Sequence, residues 1–312
     1  MITVMGSFVA DLTFRTDRLP AWGETFMGSA YKLGPGGKGS NQAVAAARAG
    51  AQVSFIGKVG QDPFAELARA TYRAEGIDAS YLYCSEQPTG AATIVVDNET
   101  GENAIIVVPG ACLDLGAAEV EAARERIAAS RIFVTQLELA LATVLRGLEL
   151  ARSLGVTTIL NPAPARELPP SIYAWCDYVI PNESEAELLT GVPVRCEEDA
   201  GRAADRLLER GVGNVVITLG AQGAFVKNRD GHALISAFHA GPVLETTGAG
   251  DAFTGGFAVA LAEGRDLVGA ARFGCAVAGL SVTRYGTAPS MPRRSEIDAL
   301  LKNAGGEAAS RG

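Results

Sequence analysis

Short β-branched runs alternate with helical patterns along most of the chain, and this alternation restricts the fold more than any other feature of the sequence. The strand-like runs are 2–6, 53–57, 132–134, 157–160, 178–180 and 215–218. Helical patterns lie between or after them, at 39–49, 63–74, 116–129, 140–152, 183–190, 197–210, 249–262 and 266–283. Strands that alternate with helices predict a mostly parallel sheet with helices on both faces.

Two stretches interrupt this alternation. Residues 10–34 contain no helical pattern, and residues 88–109 predict a hairpin with its turn at 97–101. Together they predict a small β-sheet apart from the body, which serves as a lid over a site or as a dimer contact. The rest of the chain is predicted to form an α/β body at 1–9, 35–87 and 110–304, and a frayed tail at 305–312.

Composition argues against several classes of protein. The formal net charge is −8, so there is no basic surplus to neutralise the phosphates of a nucleic acid. No apolar run approaches the roughly 20 residues of a membrane span. The five cysteines form no Cys-x-x-Cys pair, which favours the reduced thiols of a cytoplasmic protein. Only His232 and His239 are present, so structural roles are favoured over a zinc site or a histidine-based triad.

The strongest chemical signal lies at Gly248-Ala249-Gly250-Asp251, which opens an apolar helical run. A glycine-rich turn at the start of a helix directs several backbone N–H groups at one point, at the positive end of the helix dipole, and predicts an anion site. Asp251 beside that site suggests transfer of a phosphoryl group to a hydroxyl whose proton the acid takes. A tight turn that ends in an N-cap aspartate explains the same residues equally well.

The glycine-rich stretch 34–42 contains two misleading motifs. Its Gly-x-Gly-x-x-Gly does not follow the first strand directly, as a dinucleotide-binding fingerprint would. It also resembles a Walker A loop, but Gly39 follows Lys38 where that motif has Ser or Thr. We therefore interpret the stretch as a flexible loop that opens a helix, with Lys38 and Asn41 able to hydrogen-bond a polyol; a glycine hinge without chemistry is the alternative.

Many spaced motifs, in order from Gly6 to about Leu300, resemble the ribokinase family of sugar and nucleoside kinases. The segments that carry the resemblance are Gly6-Ser7 with Asp11, Gly36-Gly37-Lys38-Gly39-Ser40-Asn41-Gln42, Gln136-Leu137-Glu138, Asn161-Pro162-Ala163-Pro164, Asn182 with Glu185, Thr218-Leu219-Gly220, Thr246 to Asp251, and Gly286-Thr287-Ala288-Pro289-Ser290. The resemblance implies a three-layer α/β/α sandwich with a mostly parallel central sheet and a small β-sheet lid. It also implies an ATP- and Mg²⁺-dependent kinase that dimerises through the lid.

The resemblance implies a role for each matching residue. Asp251 matches the catalytic base, and the amides of Gly248, Ala249 and Gly250 match the anion hole for the transferring phosphoryl group. The positions that match sugar contacts are Asp11, Gly37, Lys38, Asn41 and Glu138. The positions that match nucleotide contacts are Thr218, Gly220, Gly223, Gly250 and Cys275, the last of which is otherwise a small core thiol.

Two further groups match metal positions. Asn182 and Glu185 match a motif that organises Mg²⁺ and phosphates through water, and the same spacing predicts a helix capping box; both roles are compatible. Thr247, Gly286 and Ser290 match a site for a monovalent cation such as K⁺. In that site Glu245 replaces the usual Asp.

The choice of sugar depends on Val9, which stands where the family usually has a sugar-binding Asn. A sugar hydroxyl left unpaired against valine would lose about 1–3 kcal/mol. The leading hypothesis is a kinase for the primary hydroxyl of ribose, and the alternatives are 2-deoxyribose, another small sugar or a nucleoside. A sugar- or nucleotide-binding regulator without turnover is disfavoured, because a regulator need not retain Asp251.

Overall fold

The computed structural model describes residues 1–100 and 102–309, and for residues 305–309 it describes the backbone alone. The strands in this part of the chain are β1 (Ile2–Met5), β2 (Val9–Thr16), β3 (Ala30–Gly36), β4 (Val53–Val59), β5 (Asp78–Cys84), β6 (Gly90–Asp97), β7 (Asn103–Val108), β8 (Ile132–Thr135), β9 (Thr157–Leu160), β10 (Tyr178–Val179), β11 (Asn214–Thr218), β12 (Ala224–Lys227) and β13 (His232–Ile235). The α-helices are α1 (Lys38–Arg48), α2 (Pro63–Ala74), α3 (Ala117–Ala122), α4 (Arg124–Ala128), α5 (Leu141–Ser153), α6 (Glu183–Thr190), α7 (Glu197–Glu209), α8 (Ala249–Ala262), α9 (Leu267–Ser281) and α10 (Arg294–Ala309).

Nine strands form the central sheet, in the order β13-β12-β11-β10-β9-β8-β1-β4-β5. The seven strands from β11 to β5 pair in parallel, and β12 and β13 are added antiparallel at one edge. Two apolar clusters cover the two faces of the sheet, because parallel strands with helices on both sides are buried on both sides. The predicted three-layer α/β fold with a mostly parallel sheet is confirmed.

The order of the strands places a topological switch point at β1. The chain leaves β1 toward β4 on one side and reaches β8 on the other. In an open α/β sheet, the loops that follow such strands separate there and leave a crevice at the carboxyl ends of the strands. We therefore expect the functional groups at that edge.

A second sheet of four strands, β3-β2-β6-β7, stands apart from the first. Its β6–β7 pair is the predicted hairpin, and β2 joins β6 in parallel. Because side chains alternate across a strand, Leu12 and Phe14 share one face with their register partners Leu33 and Tyr31. The opposite face of β2 carries Asp11, so this sheet has one apolar face and one face that bears a sugar-binding candidate.

Three helices pack unusually closely at glycines on one side of the central sheet. A Cβ built on Gly255 of α8 would lie 2.6 Å from the Ala45 Cβ of α1 and 2.7 Å from the Gln42 carbonyl oxygen. A Cβ on Gly256 would lie 2.5 Å from a Val277 methyl of α9. This close packing of the Ala- and Gly-rich helices brings the first turn of α8 against α1.

Several boundaries differ from the sequence-based expectation. The helix predicted at 116–129 is two helices, α3 and α4, which meet at Ala123. The prediction of a frayed tail at 305–312 is wrong for residues 305–309, because their backbone continues α10. Residues 310–312 lie outside the described residues, and so does Gly101 of the hairpin turn. The strands β5, β12 and β13 and the helix α10 were not predicted, since their patterns are short or mixed. No helix in the described residues is long and apolar enough to cross a membrane.

Candidate active site

The candidate residues gather at the carboxyl edge of the central sheet, on both sides of the switch point. Ser7 follows β1, Glu138 follows β8 and Asn161 follows β9. Asn182 follows β10 and is bridged in parallel to Thr218, the last residue of β11. Successive parallel strands thus deliver polar side chains to one crevice, although these residues are far apart in sequence.

Gly248-Ala249-Gly250-Asp251 forms the first turn of α8. Gly248 is the N-cap, with φ of 83°, and a Cβ there would also lie 3.3 Å from the Thr287 backbone. Asp251 is 5% exposed and accepts hydrogen bonds from Asn41 Nδ2 at 3.0 Å and Gln42 Nε2 at 2.9 Å. The alternative of an N-cap aspartate is therefore wrong, because the carboxylate is held by α1 and not by its own helix. First-turn N–H groups have no acceptor within a helix, but the Ala249 amide donates to the Thr246 carbonyl oxygen at 3.1 Å. Among the described residues, the amides of Gly248 and Gly250 remain available to an anion.

The glycine-rich loop is shaped by close contact rather than by a need for flexibility. Gly37 is the N-cap of α1 with φ of 85°, and a Cβ on it would lie 2.8 Å from the backbone nitrogen of Val9. The next amide, that of Lys38, donates to Glu138 Oε2 at 2.9 Å. The Ser7 hydroxyl donates to the same oxygen. The loop thus connects the start of α1 to the ends of β1 and β8, and the hinge alternative is not supported.

Asp11 projects from β2 toward the body of the protein. The Thr287 hydroxyl lies 3.1 Å from both Asp11 Oδ2 and the Pro35 carbonyl oxygen. Burial, together with the nearby carboxylates of Glu138 and Asp251, raises the pKa of Asp11 to about 7, although the bond from Thr287 opposes the rise. Asp11 therefore exists in both protonation states near neutral pH, and a hydroxyl that donates to it favours the carboxylate.

Lys38 lies among three acidic side chains of the site, which are Asp251, Glu138 and Glu185. Burial alone would lower its pKa, but the carboxylates of Asp251, Glu138 and Glu185 outweigh that effect and raise the pKa above its usual value. The ammonium therefore stays charged and is positioned to offset the negative charge of the crevice. The structure brings together all five predicted sugar contacts around Asp251.

A cavity of about 380 Å³ adjoins this group of polar residues at the N-terminus of α8. All five predicted nucleotide contacts line it, namely Thr218, Gly220, Gly223, Gly250 and Cys275, and so does Asn182 of the predicted Mg²⁺ motif. Burial raises the pKa of the Cys275 thiol to about 12, so this cysteine is an inert part of the wall. Phe238 and His239 also line the cavity, and no sequence signal marked them.

Asn182 and Glu185 form the predicted capping box at the start of α6. The Glu185 amide donates to Asn182 Oδ1 at 2.8 Å, and Glu185 Oε2 accepts from the Asn182 amide at 2.9 Å. Burial raises the pKa of Glu185. Within residues 1–100 and 102–304, no three His, Cys, Asp or Glu side chains converge on a point where they could hold a metal ion. A hydrated Mg²⁺ bound mainly by phosphate oxygens suits such a donor set.

The residues matched to a monovalent cation site lie beside the anion-binding turn. Glu245 Oε2 accepts a hydrogen bond from the Gly286 amide at 2.8 Å, and the Ser290 hydroxyl donates to the Thr287 carbonyl at 2.8 Å. The Lys32 ammonium lies 3.4 Å from the position that a Cβ on Gly286 would occupy. A positive charge of the chain itself thus approaches this group.

No functional role was predicted from the sequence for a set of buried amides behind Asp251. Gln136 Nε2 donates to Gln42 Oε1 at 2.6 Å, and Gln42 Nε2 donates to both Asp251 and Asn161. All three residues stand in the motifs that carry the family resemblance; Gln136 and Asn161 follow the buried strands β8 and β9, and Gln42 lies on α1. That position was the signal that could have marked them.

The protein has a three-layer α/β fold with a crevice at its switch point. In that crevice a nucleotide-sized cavity adjoins a cluster of candidate hydroxyl-binding groups. This combination defines a small-molecule kinase. Residues 1–294 match the model of the pfkB family of carbohydrate kinases. The chain belongs to this family, and it is an ATP-dependent carbohydrate kinase.

The relatives cover nearly the whole chain. A ribokinase of Haemophilus influenzae is 40% identical over 97% of this chain and 99% of its own length. A deoxyribokinase of Salmonella typhimurium is 38% identical over 96% of this chain and 98% of its own length. The structure of Arabidopsis thaliana ribokinase complexed with ribose and ATP aligns with a TM-score of 0.88 at 31% identity, covering 96% of this chain and 98% of that one.

Proposed function

We propose that the protein transfers the γ-phosphoryl group of ATP to the primary 5-hydroxyl of D-ribose and forms ribose 5-phosphate. The observation that carries this proposal is the position of Asp251, buried between the nucleotide-sized cavity and the sugar-binding candidates on the first turn of α8. The ribokinases among the relatives support ribose as the acceptor.

Each group has a task in this reaction. Asp251 takes the proton of the attacking hydroxyl, and the amides of Gly248 and Gly250 stabilise the charge on the transferring phosphoryl group. Lys38 offsets the negative charge that the phosphates bring into the acidic crevice. No covalent intermediate on the protein is needed, because positioning and electrostatic stabilisation account for most of phosphoryl-transfer catalysis.

The sugar is held by acceptors on both sides of Asp251. Asn41 is 3% exposed, and its Oδ1 has no hydrogen-bond partner among the described residues. A buried acceptor without a donor is rare, and a sugar hydroxyl would satisfy it. We propose that Asp11, Gly37 and Glu138 supply the remaining contacts from the lid strand, the loop and the end of β8.

Metal ions complete the proposal. Asn182 and Glu185 would hold Mg²⁺ through water, and the ion would supply charge neutralisation at the phosphates of ATP. A K⁺ ion would use oxygens of Glu245, Thr247, Gly286 and Ser290. We further propose that the enzyme acts in the cytoplasm, in keeping with its unpaired, widely spaced cysteines.

The small sheet is proposed to act as a lid over the sugar and as the contact of a homodimer. Its outward face exposes large apolar side chains, with Tyr31 at 76% and Ile106 at 70%, and β7 is an unpaired edge strand. A second copy of the same sheet would cover both features by two-fold pairing.

The dimer proposal predicts the effect of a charge on that face. The wild-type protein should scatter light as a dimer at micromolar concentration, and Ile106→Asp should scatter as a monomer. Leu188→Asp is the matched control, since Leu188 is a half-exposed apolar residue of α6 outside the small sheet, and it should leave the dimer intact. A monomeric wild type, or a dimeric Ile106→Asp, would count against the dimer but not against the lid.

A second candidate acceptor, 2-deoxyribose, is favoured by Val9. Val9 is the first residue of β2, is 3% exposed and lies two residues before Asp11, on the same face of the strand. A valine tolerates a missing hydroxyl and penalises one that is present. The deoxyribokinase at 38% identity supports this candidate as well.

The residue at position 9 should therefore set the preference between the two sugars. Val9→Asn should shift the ratio of kcat/KM for ribose over deoxyribose toward ribose by roughly tenfold, or about 1.4 kcal/mol. Val9→Ile, which adds bulk but no amide, should not move the ratio toward ribose. An unchanged ratio in Val9→Asn would mean that residue 9 does not contact the sugar.

ADP release over a panel of ribose, 2-deoxyribose, hexoses and nucleosides tests the proposed function. Ribose or deoxyribose should give the highest kcat/KM. A hexose or nucleoside in first place would identify the wrong acceptor, and sugar binding without ADP release from any compound would support the regulator in place of the enzyme.

A further inference from the structure

The buried amides behind Asp251 form a continuous chain that ends on the carboxylate. Gln42 is 0% exposed and Gln136 is 1% exposed. Gln136 Nε2 donates to Gln42 Oε1 at 2.6 Å; Gln42 Nε2 then donates to Asn161 Oδ1 at 3.0 Å and to Asp251 Oδ1 at 2.9 Å. Asn161 Nδ2 donates to the Ile180 carbonyl at 2.8 Å.

The partners of this chain determine which way each amide faces. The backbone carbonyl of Ile180 requires the NH₂ group of Asn161, so the oxygen of Asn161 must face Gln42. That oxygen, and the carboxylate of Asp251, can only accept, so both require the NH₂ group of Gln42. The NH₂ group of Gln136 then donates a hydrogen bond to the oxygen of Gln42. A rotation of Gln42 that exchanged its oxygen and nitrogen would break three hydrogen bonds at once.

Gln42 differs in this respect from its neighbour Asn41. Asn41 also donates to Asp251, but its Oδ1 lacks a protein partner and is free for a ligand. Every polar atom of the Gln42 side chain is bonded within the protein. Gln42 therefore has no group left to bind the sugar, and its chemical influence passes through Asp251.

We propose that Gln42 is a positioning residue that holds the Asp251 carboxylate in the orientation from which it accepts the proton of the sugar hydroxyl. The proposal rests on the proposed function, in which Asp251 is the base. With Oδ1 held by Gln42 and Oδ2 by Asn41, the carboxylate cannot rotate about its Cβ–Cγ bond. A reacting group whose orientation is fixed before the substrate arrives reaches the attack geometry more often.

A positioning role and a purely structural role for Gln42 predict different effects on kcat. If Gln42 only filled space, its replacement would lower stability and leave kcat unchanged, or would lower the rate equally with and without the base. If it acts through Asp251, its effect on kcat should disappear once Asp251 can no longer accept a proton. Residues that act as one unit are strongly non-additive.

The test is a double-mutant cycle of Gln42→Met and Asp251→Asn, with kcat, sugar KM and ADP affinity measured for each variant. Methionine keeps the length of glutamine without its hydrogen bonds. Gln42→Met should lower kcat by roughly 30-fold, which is the scale of a misplaced catalytic group. It should leave the affinity for ADP within about twofold of the wild type. In the Asp251→Asn background it should change the residual rate by less than about threefold. Thr143→Val is the matched control, because it also removes a buried hydrogen bond, to the Leu115 carbonyl and outside the chain of amides, and should leave kcat unchanged.

Three results would overturn the inference while the proposed function stands. The first is a folded Gln42→Met with kcat within threefold of the wild type. The second is an equal loss of rate in both backgrounds. If Gln42→Met does not fold, Gln136→Met takes its place, because it removes the hydrogen bond to the oxygen of Gln42 and should also lower kcat. The third overturning result is an unchanged kcat in Gln136→Met. A wild type that releases no ADP with any sugar would overturn the proposed function and this inference with it, whereas an active wild type with an inactive Asp251→Asn isolates the role of Gln42.

Discussion

Asp251→Asn should lower kcat by roughly 10²- to 10⁴-fold, the range that a positioned general base contributes. The amide of asparagine is nearly isosteric with the carboxylate, but it cannot take the proton of the attacking hydroxyl. The geometry adds a second consequence. Asn41 and Gln42 both donate to Asp251, so the NH₂ group of an asparagine would face one of these donors and leave it without an acceptor. We therefore expect a loss of about 1–3 kcal/mol in stability as well.

Turnover, thermal unfolding and ADP affinity separate these two effects. ADP should still bind, because most of the cavity wall lies outside α1 and the sugar group. Asp266→Asn is the matched control: Asp266 is the N-cap of α9, where asparagine caps equally well, and its replacement should change neither turnover nor stability appreciably. If Asp251→Asn retains turnover within tenfold of the wild type, Asp251 is not the base.

Gly36→Ala should raise the KM for the sugar by roughly 10- to 100-fold, the scale of a lost hydrogen bond to a charged group. Gly36 is buried at the end of β3, and a Cβ on it would overlap the carboxylate of Asp11. The φ of Gly36 is not positive, so alanine fits its backbone, and the side chain of Asp11 can turn away. The fold should therefore survive while Asp11 leaves its place above the crevice.

Gly34→Ala provides the control two residues earlier on the same strand. A Cβ there meets nothing within 4 Å, and we expect no change in sugar KM. Isothermal titration with ADP should show intact nucleotide binding in both variants. In an Asp11→Ala background, Gly36→Ala should add no further loss. An additional loss there would mean that Gly36 acts on the site by another route than Asp11.

The classes of element were readable from the sequence where a pattern was local. The helix over 183–190 was predicted at its observed bounds because an N-cap, a capping box and a terminal glycine lie within ten residues. The strands predicted at 53–57 and 215–218 were visible as β-branched runs, and the structure extends them to 53–59 and 214–218. By contrast, β12 and β13 form an antiparallel edge whose side chains are only partly apolar, and nothing local distinguished them from loops.

In the candidate site, too, local patterns were readable from the sequence and distant contacts were not. Motif positions named Asp251, Lys38, Asn41 and Asn182 because each type of residue is tied to a chemistry. The partners of these residues were not named, since a hydrogen bond between side chains leaves no local pattern in the chain. Thr287 and Asp11 are 276 positions apart, and Gln42 and Asp251 are 209 apart.

The sequence by itself determined the α/β architecture, the phosphate-binding turn and the residue types that perform the chemistry, because periodicity and glycine placement act over a few residues. Only the tertiary structure decided which amides hold Asp251, why Gly36 and Gly37 are glycines, and which face of the small sheet carries Asp11 toward the body. Those features depend on how closely α1, α8 and the ends of the parallel strands approach one another. That approach is set by packing across the whole core.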